Sequence, residues 1–269
     1  MAKSKRRTVI QAGRLVTAVV YTAALPSDKG QQRTAKLKAS SEARQRINLK
    51  HSWQKLEQVL AANFDSDDLV ATLTYDDEHL PPSTREAEKQ LRKFLTQLRA
   101  VRRKRGEDLK YIYVTETKHG EGRIHHHVVL SGTGDDYEEI RSLWTNGTAI
   151  KIERIDEYGY GELAKYLTKE PRDNGSANGK RTWVPCKGLI HPKSVSDWVD
   201  DNLDICAPPG AIILDGGPQT TINTYGSYTY IKYLLPKPVQ RRCRPPKKLK
   251  TEKGLSFSAL EHRISFQKE

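Results

Sequence analysis

The sequence predicts an α+β protein: a central, mainly antiparallel sheet with helices packed on it, extended at both ends. Three observations carry that expectation. Strand-like and helix-like segments follow one another between residues 66 and 170 in the order strand, helix, two strands, helix, strand, helix. The two middle strands, "LKYIYVTE" and "IHHHVVLS", are joined by the short glycine-containing "TKHGEGR", which suits an antiparallel hairpin. Two segments place apolar residues at i, i+3, i+4 and i+7, the stripe of a helix lying on a core.

Taken in order, "MAKSKRR" reads as a basic tail leading into the strand "RLVTAVVYTAAL". A polar, breaker-rich loop follows, and Leu49, Trp53, Leu56 and Leu60 then mark a helix over Glu42 to Asn63. "DDLVATLTYDD" is β-branched and aromatic, so it reads as a strand ending in acidic residues. Pro81 and Pro82 separate it from the strongest helix, whose stripe is Leu91, Phe94, Leu95 and Leu98. After the hairpin come the helix "DDYEEIRSLW", the strand "TAIKIERI" and the helix "GYGELAKYLTKE", closed by Pro171 and a Gly/Asn-rich loop. The expected divisions are an N-terminal strand, loop and helix (1–64), a central α+β domain (65–170), an ordered appendage containing "RTWVPCKGLIHPK" (171–235) and a basic tail (236–269). Between Pro236 and Lys253 that tail carries eight Lys or Arg.

A chain of 269 residues with a formal net charge of +13 calls for a polyanionic partner. Its apolar runs are too short to span a bilayer, and no apolar region follows the basic start, so neither a membrane nor a secretory route is expected. Cys186, Cys206 and Cys243 are odd in number and widely spaced, which suits a reducing cytoplasm and supports neither a disulfide scaffold nor a zinc ribbon. The strongest helix carries Arg99, Arg102, Arg103 and Arg105 beside its apolar stripe. Both a solvated face and a phosphate-facing role remain open for them, as for Arg241 and Arg242 in the tail.

"GRIHHHVVL" holds three histidines, and strand alternation divides them. Ile124, His126, Val128 and Leu130 share an apolar face, so His126 fills the slot of a bulky hydrophobe. His125 and His127 share the other face and can aim at one ion. Glu116 ends the partner strand and can join them; His, His and Glu with open positions suit Mg²⁺ or Mn²⁺ engaging phosphate oxygens. His119 in the turn could compete, and Asp76 and Asp77 read first as turn residues. On the last helix Tyr160, Leu163, Ala164 and Leu167 face the core, whereas Glu162, Lys165, Tyr166 and Lys169 fall on a polar side. A neighbouring ammonium or metal-bound phosphate favours phenolate character at Tyr166, and Lys169 could instead hold the phosphate.

"GRIHHHVVL" followed by "YLTK" resembles the paired signatures of the HUH endonucleases, replication initiators and relaxases that act on single-stranded DNA. "NLKHSWQKLEQVLAANFDSDDLVATLTY", "LKYIYVTE", "LAKYLTKE" and "RTWVPCKGL" look more closely like rolling-circle replication-associated proteins of Gram-positive phages and mobile elements, over roughly residues 45–192. The resemblance implies a palm-like fold and a divalent metal held by His125, His127 and Glu116. It implies in-line attack by Tyr166, with a 5′-phosphotyrosyl link and a free 3′-OH as products. Two-tyrosine members repeat the Tyr motif; Glu162 stands where the first tyrosine would fall, which points to one nucleophile with Glu162 as a water activator. Lys169, Lys165 and the arginines would serve single-stranded DNA or an origin hairpin. The sequence has no Walker-type loop, so a host helicase and polymerase would be recruited. The competing readings are a DNA-binding regulator of the same fold, a transposase or relaxase, a small-substrate metallohydrolase and an RNA-binding protein.

Overall fold

Two five-stranded antiparallel sheets, rather than one, organise the chain. The computed structural model describes residues 4–23, 42–116, 123–169, 182–224 and 226–237. His119 and the tail arginines Arg241 and Arg242 lie outside these residues, as does most of the expected basic tail. Among the described residues no helix is long and apolar enough to cross a membrane.

The elements are β1 (Ser4–Ala12), β2 (Leu15–Ala23), α1 (Glu42–Asn63), β3 (Leu69–Leu73), α2 (Thr84–Lys104), β4 (Tyr111–Glu116), β5 (His125–Leu130), α3 (Asp136–Leu143), β6 (Ile150–Arg154), α4 (Tyr160–Leu167), β7 (Val184–Pro185), β8 (Ser194–Val199), β9 (Ile212–Asn223) and β10 (Gly226–Leu234). The expected order from β3 to α4 is therefore the observed one, and the fold class is α+β as expected. The central sheet runs β6-β3-β5-β4-β7. Its hairpin places Glu116 opposite His125 and Val114 opposite His127.

Alternation along β3, β4 and β5 gives this sheet two apolar faces. Ala71, Leu73, Tyr113, Val128 and Leu130 pack with Leu91, Phe94, Leu95 and Leu98 of α2. Ile112, Val114 and Val129 face the other way, into a core with Leu56 and Leu60 of α1 and with Tyr160, Ala164 and Leu167 of α4. A β-strand covered on both faces reads as nearly continuous hydrophobicity, and "VVL" in β5 is such a run. Ser83 caps α2, its hydroxyl accepting from the Glu86 N–H at 3.3 Å.

The second sheet, β8-β1-β2-β10-β9, departs from the sequence expectation. "SKRRTVIQA" forms β1 rather than a tail, pairing Ser4–Ala12 with Ala23–Leu15 of β2 and Lys5–Ile10 with Val199–Ser194 of β8. Strands from the expected N-terminal extension and from the expected appendage thus come together in one sheet. Ala12, Leu15 and Leu234 from this sheet enter the same core as α1 and α4. "RTWVPCKGL" also does more than append: Val184 and Pro185 pair with Tyr113 and Ile112 at the edge of the central sheet, and Trp183, Cys186 and Leu189 are buried.

Candidate metal centre and nucleophile

The β5 face that carries Val129 toward α4 continues, two residues at a time, through His127 to His125. The central sheet is apolar where α1 and α4 cover it and polar where that cover ends. Glu116, at the end of β4, brings its Oε2 to 3.1 Å from His125 Nε2 and 2.7 Å from His127 Nε2. One ligand atom from each of the three residues falls within 4.8 Å of the others, the one such group among the described residues. Glu116 and His127 are buried and His125 is half-buried.

Hydrogen bonds behind the ligands set their orientation. His125 Nδ1 lies 3.1 Å from the Arg123 carbonyl, which can only accept, so Nδ1 donates. His127 Nδ1 lies 3.1 Å from the Thr72 hydroxyl. With Nδ1 protonated, a neutral ring turns an Nε2 lone pair toward the Glu116 carboxylate. Two lone pairs and a carboxylate repel unless a proton or a cation stands among them. Burial lowers the affinity of His127 for a proton, more than its bond to Glu116 restores it. A neutral imidazole is the form that ligates metal, so the donor set fits a divalent cation.

His126 has a separate role. It points into the α2 core, fully buried, with Nε2 2.8 Å from the Tyr75 hydroxyl and Nδ1 3.0 Å from the Thr115 hydroxyl. Burial, followed by the neighbouring His125 and His127, drives its pKa down to about 3. Its ring also meets Tyr75 and Trp144 edge-on. The bulky-hydrophobe slot is real, and both ring nitrogens are satisfied within it.

α4 brings the phenol of Tyr166 to the ligand cluster. Tyr166 is 47 % exposed; its hydroxyl is 3.5 Å from His127 Nε2, and the two rings meet edge-on. α4 ends at Leu167, so Lys169 stands just past the helix rather than on it. From there Lys169 Nζ reaches Glu116 Oε1 at 3.1 Å and lies 4.1 Å from the centre of the Tyr166 ring. Glu162 is exposed one turn before Tyr166 and pairs with Lys165 at 2.7 Å; the Lys165 ammonium also sits over the Trp53 ring of α1. Asp76 and Asp77 open the short turn Asp77–His79, as expected of them, and their side chains reach farther, Asp76 accepting from Thr148 and Asp77 pairing with Arg123.

Among the basic residues of α2, Arg102 is a correction. It is 0 % exposed, bonded to Asp136 at 2.7 Å, to Glu139 at 2.9 Å and to the Ser131 carbonyl, so it cannot meet DNA. The reason lies in the spacing: position 102 continues the stripe 91, 94, 95, 98. Arg105 is exposed and tied to Glu107 and Glu139, Arg99 lies over Tyr111, and Arg103 is exposed. Thr72 and the Arg123 carbonyl are parts of the site that sequence reading missed. Thr72 reaches His127 only because β3 pairs with β5, a partnership that no local pattern announces.

Residues 68–171 match the family of the replication-associated protein ORF2. The match spans well under half of the chain and contains Glu116, His125, His127, Tyr166 and Lys169. No curated protein and no solved structure matched the chain in the same comparisons. The segment similar to that replication-associated family thus runs from β3 to just beyond α4. It carries a His-His-Glu cluster able to hold a metal, of the kind found in HUH nucleases, with a tyrosine beside it.

Proposed function

We propose that the protein is a metal-dependent endonuclease and strand transferase for single-stranded DNA. In this reading it nicks and rejoins an origin through Tyr166 to initiate rolling-circle replication in the bacterial cytoplasm. The observation that carries the reading is the meeting of two motifs about forty residues apart: the Glu116, His125 and His127 cluster, and the Tyr166 hydroxyl 3.5 Å from His127.

Glu116, His125 and His127 would hold Mg²⁺ or Mn²⁺, leaving positions open for phosphate oxygens. The bound ion would supply Lewis-acid polarisation of the scissile phosphate. Tyr166 Oη forms a bond to phosphorus as the bond from phosphorus to the 3′ oxygen breaks. The phenol gives up its proton, the departing 3′ oxygen takes one, and the 5′ side stays on the tyrosine. Attack by a 3′-OH reverses the step, so no energy source is needed to rejoin. Lys169, between Glu116 and the Tyr166 ring, would turn toward the scissile phosphate and offset its charge. Arg99 and Arg103, which are exposed, would meet flanking DNA; Lys165 and Arg105 would do so by leaving their carboxylate partners, and Glu162 would activate water in hydrolytic release. A host helicase and polymerase would extend the free 3′ end.

The test is covalent capture. Labelled single-stranded oligonucleotides carrying origin-like sequences are incubated with the protein and Mn²⁺. A protein–DNA adduct that survives denaturation is expected for the wild type, and none for Tyr166→Phe. Binding without any adduct across such oligonucleotides would favour a DNA-binding regulator instead.

A further inference from the structure

The second sheet carries a row of side chains that the catalytic reading leaves unused. In the hydrogen-bonded register, Trp198 of β8 lies opposite Arg6 of β1, Arg6 opposite Tyr21 of β2, and Tyr21 opposite Tyr228 of β10. Directly opposed residues share a face, so the four stand in line across four strands. Trp198 and Tyr228 are 46 % and 47 % exposed, and Arg6 and Tyr21 are half-buried. The Arg6 guanidinium lies over the Trp198 ring, 5.7 Å from its centre. Its neighbour Arg7, on the opposite face, is neutralised by Asp197 at 2.6 Å; among the described residues Arg6 has no acidic partner.

The same face leads to the candidate site. Lys232, four residues along β10 from Tyr228, is on that face and pairs with Glu57 of α1 at 2.9 Å. Gly161, in the first turn of α4, is so close that an added Cβ would stand 2.8 Å from Glu57 Oε1 and 3.5 Å from Lys232 Nζ. The helix that carries Tyr166 thus abuts this face about 13 Å along the strand from the aromatic row.

We propose that Trp198, Arg6, Tyr21 and Tyr228 form a platform on which bases of the single-stranded DNA flanking the scissile phosphate stack. Aromatic faces accept any base, and an unneutralised arginine among them meets the backbone. A net charge of +13 provides the long-range attraction, and a duplex, whose bases are already stacked, cannot use the rings. The inference rests on the single-stranded DNA reading above, but it concerns binding rather than cleavage.

The experiment uses the full chain and a fluorescein-labelled oligo(dT) as the probe, read by anisotropy from low to moderate salt. Trp198→Ala and Tyr228→Ala should each weaken oligo(dT) binding on the order of tenfold with the salt slope unchanged. Arg6→Ala should weaken it and lower the slope by about one ion. Duplex of the same length should bind both aromatic variants like wild type. Unchanged oligo(dT) affinity in both aromatic variants overturns the platform, as does equal weakening toward duplex. Absence of an adduct with wild type would sink the nicking reading while leaving this binding comparison decisive on its own.

Discussion

Thr72 shows how much of the candidate metal site lies behind its ligands. Its hydroxyl, 3.1 Å from His127 Nδ1, holds the ring so that Nε2 faces Glu116. Thr72→Val keeps the β-branched shape and removes that partner. Mn²⁺ affinity measured by calorimetry should fall roughly 10- to 100-fold, the usual effect of losing such support. Glu116→Ala should remove high-affinity binding altogether. His126 gives the contrasting outcome. His126→Leu strands the Thr115 hydroxyl and costs Tyr75 one of its two bonds, the other being to the Ala87 carbonyl at 3.2 Å. Chemical denaturation should show a loss of about 1–3 kcal/mol, with Mn²⁺ affinity unchanged. If instead the metal is lost, the division of the three histidines between two faces is wrong.

At the scale of elements, α2 and α3 are joined by Arg102, whose guanidinium is shared by Asp136, Glu139 and the Ser131 carbonyl. Arg102→Ala should cost about 3–5 kcal/mol, because the buried Asp136 carboxylate loses its counter-charge while Glu139 keeps only Arg105. Burial alone would push the Asp136 carboxyl upward. The N–H groups of Thr133 and Gly134, the Thr133 hydroxyl and Arg102 outweigh it and hold Asp136 below its ordinary value. A depressed carboxyl contributes stability that is complete above the unfolded value, roughly 3.9, and is lost as pH falls through the lower folded one. Urea midpoints should therefore drop more steeply below about pH 4 in the wild type than in Asp136→Asn. The same helix marks what could be read in advance. The stripe Leu91, Phe94, Leu95, Leu98 was legible because one face of one helix is a local property. Arg102 belongs to that stripe by spacing, yet its charge argued for solvent, and only the distant Asp136 reverses the sign. Likewise His125, His127 and Glu116 were legible through one hairpin, and Tyr166 with Lys169 through a three-residue spacing that begins on α4 and ends just past it. Thr72, β1 and the edge strand β7 were not, since each acquires its role from a strand far away in sequence.

For the whole molecule, the second sheet is tied to α1 by Lys232, held between Glu57 at 2.9 Å and Asp215 at 2.8 Å. Although burial opposes its charge, the two carboxylates raise its pKa and keep it protonated. Gly161→Ala forces a methyl against that pair, and overpacking of this kind should cost about 1–3 kcal/mol in thermal or urea unfolding. Gly134→Ala, where an added Cβ meets nothing within 4 Å, makes the control for steric crowding, its cost confined to the positive φ of 105°. The second sheet also has a consequence for biosynthesis. β1 and β2 leave the ribosome well before their outer neighbours β8 and β10, which begin at Ser194 and Gly226. Until those arrive, the nascent hairpin presents two bare edges, open to pairing with another chain. The central sheet, whose helices and strands from α1 to β7 are all made by then, can form during the wait. Premature termination near residue 190 should thus leave a formed metal site on a polypeptide that accumulates in inclusion bodies, a fate read by fractionating the truncated product.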